Sequence, residues 1–318
     1  MELPIKLNFN EIFKSRKTQL LLVIFIISLF LTIYSPAFLT VTNIRSVLMG
    51  MSYDLVVSLG MTILLIMGCL DLSVGSNMAL TSVVTALLMT RMNFPVFVAV
   101  ILGLMLSGFV GLINGIFVTK FKINPFIVTL AMMSIARGFA RVLTGGYFVT
   151  GLPQNFLFIG RAEFLRIPFP VIFSILLVIL LNFFLENFSP LFRSFYVGSA
   201  PNNAELFGIN VSGMIIAGFI ICGILSGISA IFMSSRLAMG YSQFGMMVEL
   251  RALGASIIGG ASFSGGKGSI VGTFLGVLLL ALVRNFFSIT GIPIYWQNVV
   301  NGIILIIAVA TFLPSIKN

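Results

Sequence analysis

The sequence predicts an all-α, polytopic membrane protein of about ten transmembrane helices, some of them broken, with a weak internal (inverted) repeat. Three observations predict it. Of 318 residues, 59% are apolar and 8% charged, against about 25% charged in an average soluble domain. The 18 basic and 8 acidic residues could not keep the surface of a soluble domain of this size wet. Apolar runs approaching the roughly 20 residues of a spanning helix recur along the chain, and Gly-rich turns interrupt two of them.

Composition also removes classes of chemistry. The chain has no histidine, which excludes a Ser-His dyad, an HExxH zinc site and a His-ligated haem. Cys69 and Cys222 sit in separate apolar stretches and read as small buried residues. The basic residues are scattered singly between apolar runs, so the +10 net charge does not point to nucleic acid.

Ten candidate spans follow in order: Thr18 to Tyr34, Val47 to Met67, Ser73 to Met89, Val96 to Val118, Phe126 to Leu143, Phe169 to Phe184, Val211 to Met233, Ala252 to Phe263, Ser269 to Phe287 and Gln297 to Leu313. The eighth is too short to span alone and reads as a broken helix. The first follows Lys14, Arg16 and Lys17 and resembles a secretory signal, but nine further segments favour a retained anchor. The organisation expected is a cytoplasmic segment 1–17, one transmembrane domain 18–313 and a cytoplasmic tail 314–318. The basic cluster puts the N-terminus in the cytoplasm, and ten crossings return the C-terminus there. All seven lysines (Lys6, Lys14, Lys17, Lys120, Lys122, Lys267 and Lys317) then fall inside. Arg45, Arg91, Arg161, Arg166 and Arg236 fall outside, and Arg137, Arg141, Arg251 and Arg284 lie near outer helix ends or within the bilayer.

Two connecting stretches are long. Thr144 to Pro168 is an external loop. Glu186 to Asn210 is a cytoplasmic loop with a short helical run, Asn202 to Phe207, opened by Pro201 and closed by Gly208. The weak repeat pairs Gly68-Cys-Leu-Asp-Leu-Ser-Val-Gly75 with Gly259-Gly-Ala-Ser-Phe-Ser-Gly-Gly266. Gly-interrupted repeats mark transporter folds.

Few residues carry chemistry. Asp71, with Ser73 beside it, reads either as the anchor of a broken helix on a pathway or as an ordinary helix cap, and both can hold. Asp54 is the one acid inside a clear spanning run, which makes it a candidate for proton coupling; one acid without a second carboxylate or a histidine makes a poor relay. Arg137 and Arg141 share a helical face, and Arg251 follows Glu249; these snorkel or pair, or else face a polar path. Ser262-Phe-Ser-Gly-Gly-Lys-Gly268 lacks the Gly and the Ser or Thr that a phosphate loop requires.

Several of these stretches carry a resemblance. Asp71-Leu-Ser-Val-Gly-Ser76, Gly111-Leu-Ile-Asn-Gly115, Pro125-Phe-Ile-Val-Thr-Leu130, Met133-Ser-Ile-Ala-Arg-Gly138, Leu143-Thr-Gly-Gly146, Gly198-Ser-Ala-Pro201 and Ile258-Gly-Gly260 with Ser264-Gly-Gly266 occur in this order, and Trp296-Gln297 follows. The chain resembles the permeases of ribose-type ATP-binding-cassette importers, over about residues 40 to 313. That resemblance implies a non-enzymatic permease subunit for a small sugar or polyol, with no cofactor of its own. ATP and Mg belong to a partner ATPase, an extracytoplasmic binding protein delivers the sugar, and a second permease copy, identical or not, completes the path.

The resemblance also implies roles. Gly198, Pro201, Asn202, Asn203, Ala204, Glu205, Leu206, Phe207 and Gly208 would couple to the ATPase. Asp71, Ser73, Gly75, Asn114, Ser264, Gly265 and Gly266 would form the pathway or its structural motif. Arg91, Arg161, Arg166 and Arg236 are docking candidates for the binding protein. The chain departs from the family pattern at Ala200, Asn203 and Glu205 in the coupling element, and at Arg251, where an acid is usual. An ion-coupled secondary transporter or channel, working without an ATPase, is the alternative.

Overall fold

The computed structural model describes residues 15–293 and, beyond them, 295, 296, 299, 300, 302, 303 and 306. Lys6, Lys14, Lys317 and most of the tenth candidate span lie outside the described residues. Among the described residues, seven helices are long and apolar enough to cross a membrane. In chain order they are α1 (Arg16–Tyr34), α2 (Val41–Ile66), α4 (Val96–Thr119), α5 (Pro125–Thr144), α7 (Phe169–Asn187), α10 (Val211–Leu237) and α12 (Ile270–Thr290). The apolar α3 (Val74–Thr90) is shorter, as is α11 (Val248–Ile258), which carries Glu249 and Arg251. At 1.5 Å per residue, the 11 residues of α11 reach about half of a roughly 30 Å hydrocarbon core. The eighth candidate is thus a short helix that starts four residues earlier than its hydropathy shows.

Contacts between helix ends sort the elements into two faces. At one, Gly266 donates its N–H to the Ile66 carbonyl, 2.8 Å away, and Arg16 donates to the carbonyls of Ile257 and Ile258 at the end of α11. At the other, Gly160 donates to Ser235, Val149 bridges Gly240, and Asn43 pairs with Asn285. We call these the Gly198 face and the Arg161 face. The described lysines, Lys17, Lys120, Lys122 and Lys267, belong to segments ending at the Gly198 face, whereas Arg45, Arg91, Arg141, Arg161, Arg166 and Arg236 belong to the Arg161 face.

The long connections contain more structure than their composition predicts. The 144–168 loop holds the amphipathic helix α6 (Gln154–Arg161) and a two-strand hairpin, β1 (Glu163–Phe164) against β2 (Ile167–Pro168). The hairpin is tied to α2 by an ion pair between Glu163 and Arg45. The 186–210 loop holds α8 (Ser189–Ser199) before the expected short helix, α9 (Pro201–Leu206).

The core is the α2 helix. Nearly all of it from Met51 to Ile66 is buried, with α7, α10, α11 and α12 around it. The flanking α1 and α7 leave rows of Phe, Ile and Leu exposed, as lipid-facing helices do. Small residues set the closest approaches, which is how helices associate where lipid removes the hydrophobic drive. A Cβ on Gly111 of α4 would lie 2.8 Å from the carbonyl carbon of Phe219 in α10. The Ser107 hydroxyl then donates to the Gly223 carbonyl at 2.7 Å. Gly111→Leu is expected to give an aggregated or unfolded protein by size exclusion in detergent. Gly138→Ala, at a position with open space around it, is expected to elute as the parent does.

Candidate functional site: an intramembrane charge cluster and a glycine joint

Inside a bilayer a break in a helix leaves backbone groups that no water satisfies. The chain has such a break between α2 and α3, at 67–73. Asp71 closes it. Its carboxylate accepts from the Ser73 N–H at 2.7 Å and the Ser73 hydroxyl at 2.6 Å. Asn114 of α4 donates its amide to Asp71 and Ser73. All three side chains are buried, so this cluster anchors the break, while Ser73, the residue before α3, makes no side-chain cap bond to the helix. Two residues on, Gly75 opens α3 against the backbone of Gly245 and the Glu249 carboxylate, leaving no room for a Cβ.

The expected pathway set is therefore split. Asp71, Ser73, Gly75 and Asn114 belong to the interior. Gly265 and Gly266 pack instead on Gly198 and Ser199, and Gly198 sits on the Ile66 carbonyl at the end of α2. A Cβ on Gly265 would lie 2.8 Å from the Cα of Gly198. Ser264 is exposed beside them. The two Gly-rich turns meet here, Gly68 lying against Gly265 and Gly198.

From this joint the chain runs into α9. Ala204 is buried against Val211 and Ile209, while Asn202, Asn203, Glu205 and Gly208 are exposed. Leu206 and Phe207 are 85% and 86% exposed, and Pro201 occupies the first turn. These two side chains form an exposed apolar tip at the end of a polar helix.

The interior also holds an ion cluster that sequence spacing could not assemble. Asp54 of α2 is bound by Arg251 of α11 through Nε and Nη2, each at 3.2 Å, and by Arg284 of α12 in a further short ion pair. Asp54 is thus committed to two cations rather than free to relay protons. Arg137 does not snorkel: its Nη1 donates to the carbonyls of Ser242 and Phe244, 2.9 and 2.6 Å away, and so satisfies the run of turns leading to α11. A hydroxyl set, Thr62 with Ser256 and Thr273, joins the same three helices at 2.9 and 2.6 Å. The signal for Arg137 in the sequence was only its position, mid-way along an apolar run.

At the Arg161 face, Arg91, Arg161 and Arg166 are exposed. Arg236 is half-buried beside the Tyr53 ring, and its carbonyl accepts from Arg161 Nε. Three of the four docking candidates thus present their charge to the surroundings, and the fourth turns inward.

A family described as "Branched-chain amino acid transport system / permease component" matches residues 43–309. The chain belongs to this family. The ribose import permease protein RbsC of Bacillus subtilis (strain 168) is 36% identical over 288 residues, 90% of this permease and 89% of that one. The D-allose transport system permease protein AlsC of Escherichia coli (strain K12) is 35% identical over 286 residues, 90% of this chain and 87% of its own. The L-arabinose ABC transporter permease protein AraH of Azospirillum brasilense is 30% identical over 293 residues, covering 92% and 86%. No solved structure matches the chain.

Removing one partner of a buried ion pair costs about 3–5 kcal/mol, because the other charge is left uncompensated. Asp54→Asn in this permease strands two guanidinium groups. It is expected to lower the thermal unfolding midpoint in detergent markedly, while Glu205→Gln, on the exposed α9, leaves it unchanged.

Proposed function

We propose that the chain is the permease subunit of an ATP-driven importer for a small sugar or sugar-like polyol, opening to the two sides of a bacterial inner membrane in turn. The observation that carries this is the near full-length similarity to relatives named for ribose, allose and arabinose import, with a projecting apolar tip where the family resemblance puts the coupling element. The permease does no covalent chemistry. ATP and Mg act on a separate ATPase, whose cleft takes Leu206 and Phe207 of α9. On this reading the Gly198 face, with the described lysines, lies in the cytoplasm, and both termini belong to the cytoplasm too, in accord with the positive-inside rule.

The full reading is of ten spans with α3 and α11 as the broken helices of an inverted repeat. Two copies, or this chain and a second permease, enclose the path. The Arg161 face receives a sugar-binding protein carrying acidic side chains, with Arg91, Arg161 and Arg166 as the contacts. Proton coupling, the basis of a secondary transporter, draws no support from an Asp54 held by two arginines.

Two experiments test the reading. Deletion of residues 202–207 is expected to abolish co-purification of the ATPase while leaving a monodisperse permease in detergent; an ATPase that still co-purifies speaks against the coupling assignment. Arg91→Glu with Arg161→Glu is expected to weaken stimulation of ATP hydrolysis by the binding protein several-fold without lowering basal hydrolysis.

A further inference from the structure

The ion cluster around Asp54 does not balance. One carboxylate faces two guanidinium groups, which leaves one positive charge within the helix bundle. The neighbouring Glu249 does not cancel it: Glu249 acts on both Arg137 and Arg251, and with these included three guanidinium groups face two carboxylates. Asp71 lies apart, held by the neutral donors Ser73 and Asn114. An uncompensated buried cation is costly unless water or an anion reaches it.

Something can reach it. Arg251 spends its fork on Asp54 and its Nη1 on the Met246 carbonyl. Arg284 gives Asp54 only Nη2. Its Nε and Nη1 have no protein acceptor among the described residues, and its side chain is 35% exposed. It stands in the wall of a cavity of about 390 Å³ between α2 and α12. That volume falls in the roughly 300–1,000 Å³ range of small-molecule sites. Ala37, Thr40 and Thr42 form its rim at the Arg161 face, and Ser46 and Ser288 line it. The Asn43 and Asn285 amides fix each other across its wall by two hydrogen bonds, 3.2 and 2.7 Å long. The walls are thus rich in hydroxyl and amide groups, and the one ionic feature is a guanidinium with free donors.

We propose that this cavity is a substrate subsite for an acidic sugar, an aldonate or uronate, whose carboxylate pairs with Arg284 and whose hydroxyls meet the Thr, Ser and Asn groups. A single residual charge matches a monoanionic carboxylate rather than a dianionic phosphate ester, and a planar guanidinium suits a carboxylate. Asp54 and Arg251 position Arg284 and do not touch the ligand. Arg251 stands where the family resemblance leads one to expect an acid, so the cluster is positive where an acid there would make it negative. The inference rests on the importer reading and narrows its substrate class.

The test is isothermal titration of the full chain, purified in nanodiscs, with galacturonate, glucuronate, gluconate and ribonate against galactose, glucose and ribose, and acetate as the bare anion. At least one sugar acid is expected to bind tenfold or more tightly than its neutral counterpart. Arg284→Gln is expected to remove that preference and Arg284→Lys to keep part of it. Ser288→Phe, which fills the cavity and leaves every member of the ion cluster in place, is expected to lose binding. Thermal unfolding shows whether each variant is folded. Neutral sugars binding as well as the acids, acetate competing as strongly as any sugar acid, binding of no acid at all, or an unchanged preference in folded Arg284→Gln would each overturn the proposal. A permease that retains its ATPase but prefers neutral sugars overturns the substrate class alone; one that never engages an ATPase overturns the importer reading, whichever sugar it binds.

Discussion

Hydrocarbon offers backbone N–H and C=O groups no partner, and each interruption in a spanning helix must therefore be satisfied by the protein itself. The chain has the short helices α3 and α11, and the polar interior is arranged around their ends. Asp71 and Asn114 close the break before α3. Arg137 takes the bare carbonyls of Ser242 and Phe244 ahead of α11. Arg16 takes the Ile258 carbonyl that α11 leaves open at its other end, and adds a second donor to the Ile257 carbonyl, which already accepts from Gly260. Three charged side chains from distant parts of the sequence thus serve backbone rather than one another. A bilayer protein with 8% charge uses much of its small supply in this way.

Given these closures, the rest of the packing follows. With α3 starting inside the bundle, Gly75 comes against Gly245, where a side chain would separate the two turns. With α11 entering from the opposite direction, Arg251 is delivered to Asp54 in the middle of α2, and the hydroxyls of Thr62, Ser256 and Thr273 come into register. Interhelical hydrogen bonds in membranes average well under 1–2 kcal/mol each. They serve alignment more than strength, and the close glycine contacts between α4 and α10 supply the dispersion energy.

The helices were legible because hydropathy reports burial in lipid or protein alike, and the long spans match within a turn or so except at the start of α2, which begins six residues earlier than expected. Hydropathy fails where a helix is amphipathic or short. Accordingly α6 and α8 were read as loop, and α11 was placed by its apolar core, missing the turn that carries Glu249 and Arg251. The role of Asp71 was readable because its partner Ser73 lies two residues away. The partners of Asp54 lie 197 and 230 residues away, and no periodicity links them. Nor did spacing show that Ser264-Gly-Gly266 lies beneath the 198–208 segment instead of beside Asp71. That requires knowing which helix ends share a face.

The joint among Gly198, Gly265, Gly266 and the Ile66 carbonyl has a mechanical consequence. Side chains between two moving parts act as springs, since rotamer changes absorb small displacements before the backbone responds. At this joint, apart from the Ser199 Cβ against Gly266, there are none. Backbone rests on backbone, and the Gly266–Ile66 hydrogen bond ties the turn before α12 to the last residue of α2. A shift of α9 by a fraction of an ångström therefore reaches the α2–α3 break and the α11–α12 turn together, with little lost as slack.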